Sequence, residues 1–119
     1  MSESRPARPT RLADAAALDA FVATNDRALV EFCTEGCSMC AAMEPMLGNV
    51  ARATDVAVGL VNPRNDPPLV ERFDVRSVPM LVLFTDGDPV ARRAEGFVGT
   101  EELVAFVERD DGAAADGAG

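Results

Sequence analysis

At 119 residues the chain can fold as one domain with a real core and needs no disulfide staples. Its net charge of −9, from 20 acidic against 11 basic residues, leaves no basic footprint and argues against a nucleic-acid partner. No run approaches the roughly 18 consecutive apolar residues of a membrane span, and the polar N-terminus lacks the apolar centre of a signal peptide. A cytoplasmic protein with no membrane partner is therefore expected.

Every basic residue is an arginine; lysine and histidine are absent. An acidic surface without lysine fits solvation at high salt, where charge repulsion is screened. A GC-rich genome, in which Arg, Ala, Asp and Gly are cheaply encoded, accounts for the same composition. Three cysteines are too few, and odd in number, for a secreted disulfide framework. In a reducing compartment clustered cysteines point to catalysis or to metal instead.

Residues 1–11, polar and broken by Pro6 and Pro9, read as a flexible lead-in. From Asp14, a capping residue, Leu18, Phe21 and Val22 recur at helical spacing until Thr24, Asn25 and Asp26 end the run. Residues 28–33 form a short buried strand. Residues 38–53 read as a second helix with Cys40, Met43, Met46, Leu47 and Val50 in its apolar stripe and Pro45 removing one hydrogen bond. A second buried strand covers 56–61, and Asn62 to Asn65 is a turn. Asp66 is expected to cap a short helix that runs through Phe73. Residues 80–84 are a third strand, Asp86-Gly87 a hairpin turn, and about 90–95 an edge strand guarded by Arg92 and Arg93. Thr100-Glu101-Glu102 starts a last helix with Leu103, Val104, Phe106 and Val107 on its apolar face. Residues 110–119 are Ala, Gly and Asp only and read as a disordered tail. The pattern predicts an α/β domain over 12–109. Two parallel strands are joined by the second helix, and an antiparallel hairpin follows in the same mixed sheet.

The stretch from Ala28 to Cys40 carries the chemistry. An apolar strand ends at a glycine turn, Gly36, and delivers Cys37 and Cys40 to the start of a helix. A helix N-terminus stabilises a thiolate, and a cysteine three positions on can close a disulfide with it. Period-2 alternation puts Leu29, Glu31 and Cys33 on one face of the strand. Glu31 is the exception in an apolar run: a carboxylate there must be protonated, hydrated or functional. Cys33 reads as a small core residue rather than a third redox centre. The Cys33, Cys37, Cys40 spacing also occurs in metal-cluster sites. With Cys33 in a strand and no fourth ligand nearby, no metal and no cofactor is expected.

The chain over residues 14–109 resembles the thioredoxin family. The resemblance rests on Val30-Glu31-Phe32, Cys37-Ser38-Met39-Cys40, Pro45, the segment Phe73 to Pro79, Leu83 to Gly87, and Gly96. It implies a thioredoxin fold and protein-disulfide reductase activity by dithiol exchange in cell redox homeostasis. Cys37 is then similar to the attacking nucleophile and Cys40 to the resolving cysteine, the two forming the redox-active disulfide. Glu31 matches the family's buried acid, which relays a proton to or from the resolving cysteine. Pro79 matches the cis-proline, and Gly36, Met39 and Val78 complete the substrate-binding surface. The implied partners are disulfide-containing proteins and a thioredoxin-reductase-type electron donor, with the chain a monomer. The family's lysine beside the buried acid corresponds to Gly59, and Cys33 stands where a tryptophan is usual. A thioredoxin-fold redox sensor or interaction module without turnover is the alternative reading.

Overall fold

The computed structural model describes residues 8–94, 96 and 98–109. Five strands form one sheet: β1 (Thr10–Leu12), β2 (Arg27–Phe32), β3 (Ala57–Val61), β4 (Met80–Thr85) and β5 (Asp88–Arg93). Four helices cover it: α1 (Ala15–Thr24), α2 (Ser38–Ala53), α3 (Pro68–Phe73) and α4 (Thr100–Arg109). The strand order is β1-β3-β2-β4-β5. β3 is parallel to both β1 and β2, whereas β4 is antiparallel to β2 and to β5. This is the mixed α/β sheet that the sequence predicts, with one strand added at its edge.

The added strand corrects the expected lead-in of residues 1–11. Thr10, Arg11 and Leu12 pair with Gly59, Leu60 and Val61, so ordered structure begins before residue 12. A three-residue strand with an arginine at its centre carries no periodic signal; its partner lies some fifty residues on. The proposed tail, 110–119, and residues 1–7 lie outside the described residues.

Alternation along the strands sorts side chains onto two faces. Leu29, Val58, Leu60, Leu81 and Leu83 face α2 and α4, where they meet Met43, Leu47, Val50, Leu103 and Phe106. Val30, Phe32, Val61, Val82 and Phe84 face α1 and α3, against Leu18, Val22, Leu69 and Phe73. On that second face Phe73 lies 5.2 Å from Phe32 and 5.9 Å from Phe84 between ring centroids, the tilted and edge-on contacts that aromatic quadrupoles favour. The two cores hold the sheet rigid between them.

Local chemistry fixes the helix ends. Asp14 caps α1, its Oδ1 accepting from Ala17 N at 2.9 Å, as expected. Asp66 does not cap α3 with its side chain. Its Oδ2 instead accepts from Ala15 N at 2.9 Å, a second cap on α1 from 51 residues away. Pro67 precedes α3 without a side-chain hydrogen bond, and the turn at Pro63–Asn65 is one turn of 3-10 helix. α2 runs unbroken across Pro45. Gly59 answers a packing demand: a Cβ there would lie 2.8 Å from Leu12 Cδ1 and 3.1 Å from Phe21. Its free side thus faces α1, away from Glu31.

Candidate active site

β2 ends at Phe32, and the chain leaves the sheet through Cys33, Thr34, Glu35 and Gly36 before entering α2. Cys33 N still donates to Val61 O at 3.0 Å, so Cys33 prolongs the parallel pairing by one bond. Gly36, at φ +84°, makes the turn with open space around it. Cys37 is the N-cap residue of α2. Its sulfur accepts the backbone N–H of Cys40 at 3.2 Å, and its carbonyl accepts from Ala41 N at 3.1 Å. A sulfur held in the capping position meets an unsatisfied helix donor and the positive end of the helix dipole together, and both stabilise a thiolate.

Cys37 and Cys40 form a disulfide across a Cα separation of 5.2 Å. The two sulfurs are not equivalent. Cys37 is half-buried at the surface, whereas Cys40 is 4% exposed and packs into the core-facing side of α2. Met39 between them is 49% exposed, and its sulfur lies 3.4 Å from where a Cβ at Gly96 would sit. The Val78–Pro79 peptide is cis. Since Phe32 pairs with Met80, the register carried one step further sets Pro79 opposite Cys33, at the end of the sheet that holds the dithiol. Gly36, Met39, Val78 and Pro79 thus all belong to one pole of the molecule, with Pro79 buried and Val78 half-buried.

Glu31 is fully buried and faces α2, the helix that carries Cys40. Neither of its carboxylate oxygens has a hydrogen-bond partner of good geometry. Burial, reinforced by the nearby negative charge of Glu44, pushes its pKa up to about 8, while the Cys33 thiol leaning toward it works weakly in the opposite sense. The residue beside Glu31 in β3 is Leu60, not Gly59, which pairs with Val30. The expectation that Gly59 stands beside the acid is therefore corrected. Its outcome is not: no cation comes from β3, and an apolar leucine seals that side.

Cys33 is half-buried and belongs to neither core cluster, so it is less of a core residue than the sequence suggested. It lines a cavity of about 180 Å3 together with Cys37, Cys40, Arg11, Glu44 and Glu35. It also lines a larger recess of about 370 Å3 on the β1 side, with Asn62 and Asn65. Burial first, then the charges of Glu31 and Glu44, push its thiol up to about 11, with Arg11 working against them. At neutral pH Cys33 is a protonated thiol and a poor nucleophile. Among the described residues no three Cys, Asp or Glu side chains converge as a metal site.

Arg11 and Glu44 escaped the sequence reading. Arg11 sat in the supposed lead-in, and Glu44 lay in the second helix outside its apolar stripe. The available signal was position: Glu44 follows Cys40 by four residues and so lies one helical turn along the same side of α2.

A cysteine pair at a helix start, one sulfur capping and one shielded, with an unpartnered acid beneath, defines a thiol–disulfide oxidoreductase. The thioredoxin family model matches residues 10–109, and the chain belongs to that family. It is 33% identical over 94 residues to a thioredoxin of Mycobacterium tuberculosis, covering 77% of this chain and 81% of that one. A thioredoxin of Chlamydia pneumoniae is 37% identical over 75 residues, 62% of this chain and 72% of its own. Among solved structures, a variant thioredoxin from Halobacterium salinarum superposes with a TM-score of 0.85 at 29% identity, over 92% of this chain and 96% of that one. The protein is a thiol–disulfide reductase that acts on disulfide substrates. No helix among the described residues is long and apolar enough to cross a membrane.

Proposed function

We propose that Cys37 attacks, Cys40 resolves and Glu31 relays a proton to or from Cys40. The observation that carries this reading is the Cys40 N–H donated to the Cys37 sulfur at the N-cap of α2, with Cys37 accessible and Cys40 covered. In the first step the Cys37 thiolate attacks one sulfur of a substrate disulfide. A mixed disulfide forms and one substrate thiolate leaves. Cys40 then gives its proton to the Glu31 carboxylate and attacks the Cys37 sulfur. The Cys37–Cys40 disulfide forms, and the second substrate thiolate departs with the electron pair. Two electrons have passed from the dithiol to the substrate.

A base of pKa about 8 is mostly protonated at pH 7, so the resolving step accelerates as pH rises toward 8. In the reverse direction the protonated acid is ready to return the proton to Cys40 when the disulfide is reduced.

Gly36, Met39, Val78 and Pro79 form the substrate contact in this reading, with exposed Met39 offering an apolar thioether to the residue beside the substrate cysteine. The electron donor is of the thioredoxin-reductase type, the compartment the cytoplasm, and the working unit a monomer, since one chain supplies every site residue. Insulin reduction under dithiothreitol tests the activity, and a folded protein with no rate above background would return it to a redox sensor or interaction module. Cys40→Ser tests the roles. It accumulates a substrate–Cys37 mixed disulfide visible by mass, and normal turnover by that variant would transfer the resolving role to Cys33.

A further inference from the structure

Arg11, Leu60 and Glu31 stand in one row across β1, β3 and β2. Leu12, the neighbour of Arg11, packs on the α1 side, so Arg11 projects from the same face as Glu31, toward α2. Two strand spacings separate their backbones, roughly 10 Å. Arg11 Nη2 meets Glu44 Oε2 at 2.6 Å, tying the edge strand to the helix one turn beyond Cys40. Both side chains line the 180 Å3 cavity that Cys33, Cys37 and Cys40 share.

Burial does most to raise the Glu31 pKa and the charge of Glu44 adds to it, while neither carboxylate oxygen makes a hydrogen bond of good geometry that would fix its proton. Several titratable or charged groups among the described residues lie on its side of the sheet. β1 supplies Arg11, β2 supplies Cys33 and, at its far end, Arg27, and β5 supplies Arg93, which stands in the same row beyond Leu81 and pairs with Glu102 of α4. α2 and the loop before it supply Glu44, Cys37, Cys40 and Glu35. β3 and β4 present Leu60 and Leu81 beside it, and α4 packs with Leu103, Phe106 and Val107. With both cysteines in the disulfide, Glu44 and Arg11 are an opposed pair of full charges at the cavity wall.

We propose that Arg11 and Glu44 are positioning residues of the exchange reaction, an ion pair that sets how readily buried Glu31 takes and releases the Cys40 proton. The inference rests on the reading of Glu31 as proton carrier and adds what tunes it. Glu44 disfavours a second negative charge beneath it, and Arg11 offsets that repulsion. The pair is open to solvent, with side-chain exposures of 75% and 38%, so its influence is screened by salt. The proton affinity of an acid inside the protein is thereby adjusted from the surface.

The test follows the Glu31 carboxyl by carbon-13 NMR across pH in the oxidised full chain, with Glu31→Gln assigning the signal. Glu44→Gln lowers the titration midpoint by roughly half to one unit and Arg11→Gln raises it by a similar amount. The double variant falls between the two, and 1 M salt draws both single variants together. Midpoints that stay put, or that move in one direction for both single variants, overturn the inference. Stopped-flow release of the second thiol from an aryl disulfide then reports the resolving step. Its pH profile moves with the NMR midpoint in each variant. Shifted midpoints with an unmoved profile would sink the proton-carrier reading and the catalytic role of the pair with it. Unmoved midpoints with a profile abolished by Glu31→Gln would spare that reading and remove the pair alone.

Discussion

Cys33 and Cys37 lie four residues apart on one loop and line the same cavity, yet they are opposite kinds of thiol. Cys37 caps a helix and accepts an N–H, so its environment favours the thiolate. Cys33 extends a strand, faces Glu31 and Glu44, and keeps its proton to about pH 11. Residue type is constant across the comparison; backbone donors and neighbouring charge differ. In the proposed mechanism the attacking cysteine is the one whose sulfur stands in for a capping oxygen.

The most severe way to break this contrast is to remove each thiol in turn. Cys37→Ser reduces exchange to background in the insulin assay, a loss of at least about 100-fold. If Cys33→Ser did the same with its fold intact, the assignment of the two thiols would be reversed.

Glu31 provides the next test, because it sustains one side of the contrast. Its folded pKa is about 8 against 4.5 for the free residue. Between those values the folded chain holds a proton that the unfolded chain has lost, so Glu31 costs stability as pH rises from 4.5 to 8, and the cost levels off above. Glu31→Gln therefore matches the parent in urea unfolding near pH 4 and exceeds it by roughly 3 to 5 kcal/mol near pH 9. Equal stability at both pH values would mean a hydrated, ordinary carboxylate. Glu31→Gln also lowers the Cys33 thiol, since one of the charges holding it up is gone.

Gly59→Ala disturbs the scaffold without touching a thiol. The new Cβ meets Leu12 at 2.8 Å, and displacing β1 costs roughly 1 to 3 kcal/mol in a thermal or urea melt. The smallest effect belongs to Cys33→Ser, which keeps exchange within about twofold because a protonated thiol contributes no nucleophile.

Much of this was legible in advance. The dithiol, the acid behind it and the mixed sheet rest on local patterns: a strand ending in glycine, a helical stripe, an Asp-Gly turn; the proline opposite came from the family resemblance. What escaped notice was non-local. β1 exists because β3 offers it an edge, and three residues such as Thr10, Arg11 and Leu12 carry no period of their own. Asp66 looked like the cap of the helix just after it, and nothing nearby in sequence reveals that Ala15 N competes for its carboxylate. The residue beside Glu31 depended on register, where a shift of one residue exchanges Gly59 for Leu60 and one face for the other. Arg11 and Glu44 could be joined only after the strand had been seen.

Arg27 marks the other end of the strand that leads to the dithiol. Its guanidinium donates to Val107 O in the last turn of α4 at 2.6 Å and pairs with Asp55 at 3.2 Å, while Asp86 N donates to Asp26 O at 2.7 Å. Four stretches of chain far apart in sequence are fastened there by side-chain and turn bonds. At the opposite pole, about 20 Å along β2, the peptide segments end in turns at Gly36, Pro79 and Gly96. The molecule is fastened at the Arg27 end and carries its dithiol at the other. Disulfide substrates can exchange bonds with the dithiol end while the fastened end keeps the sheet in register.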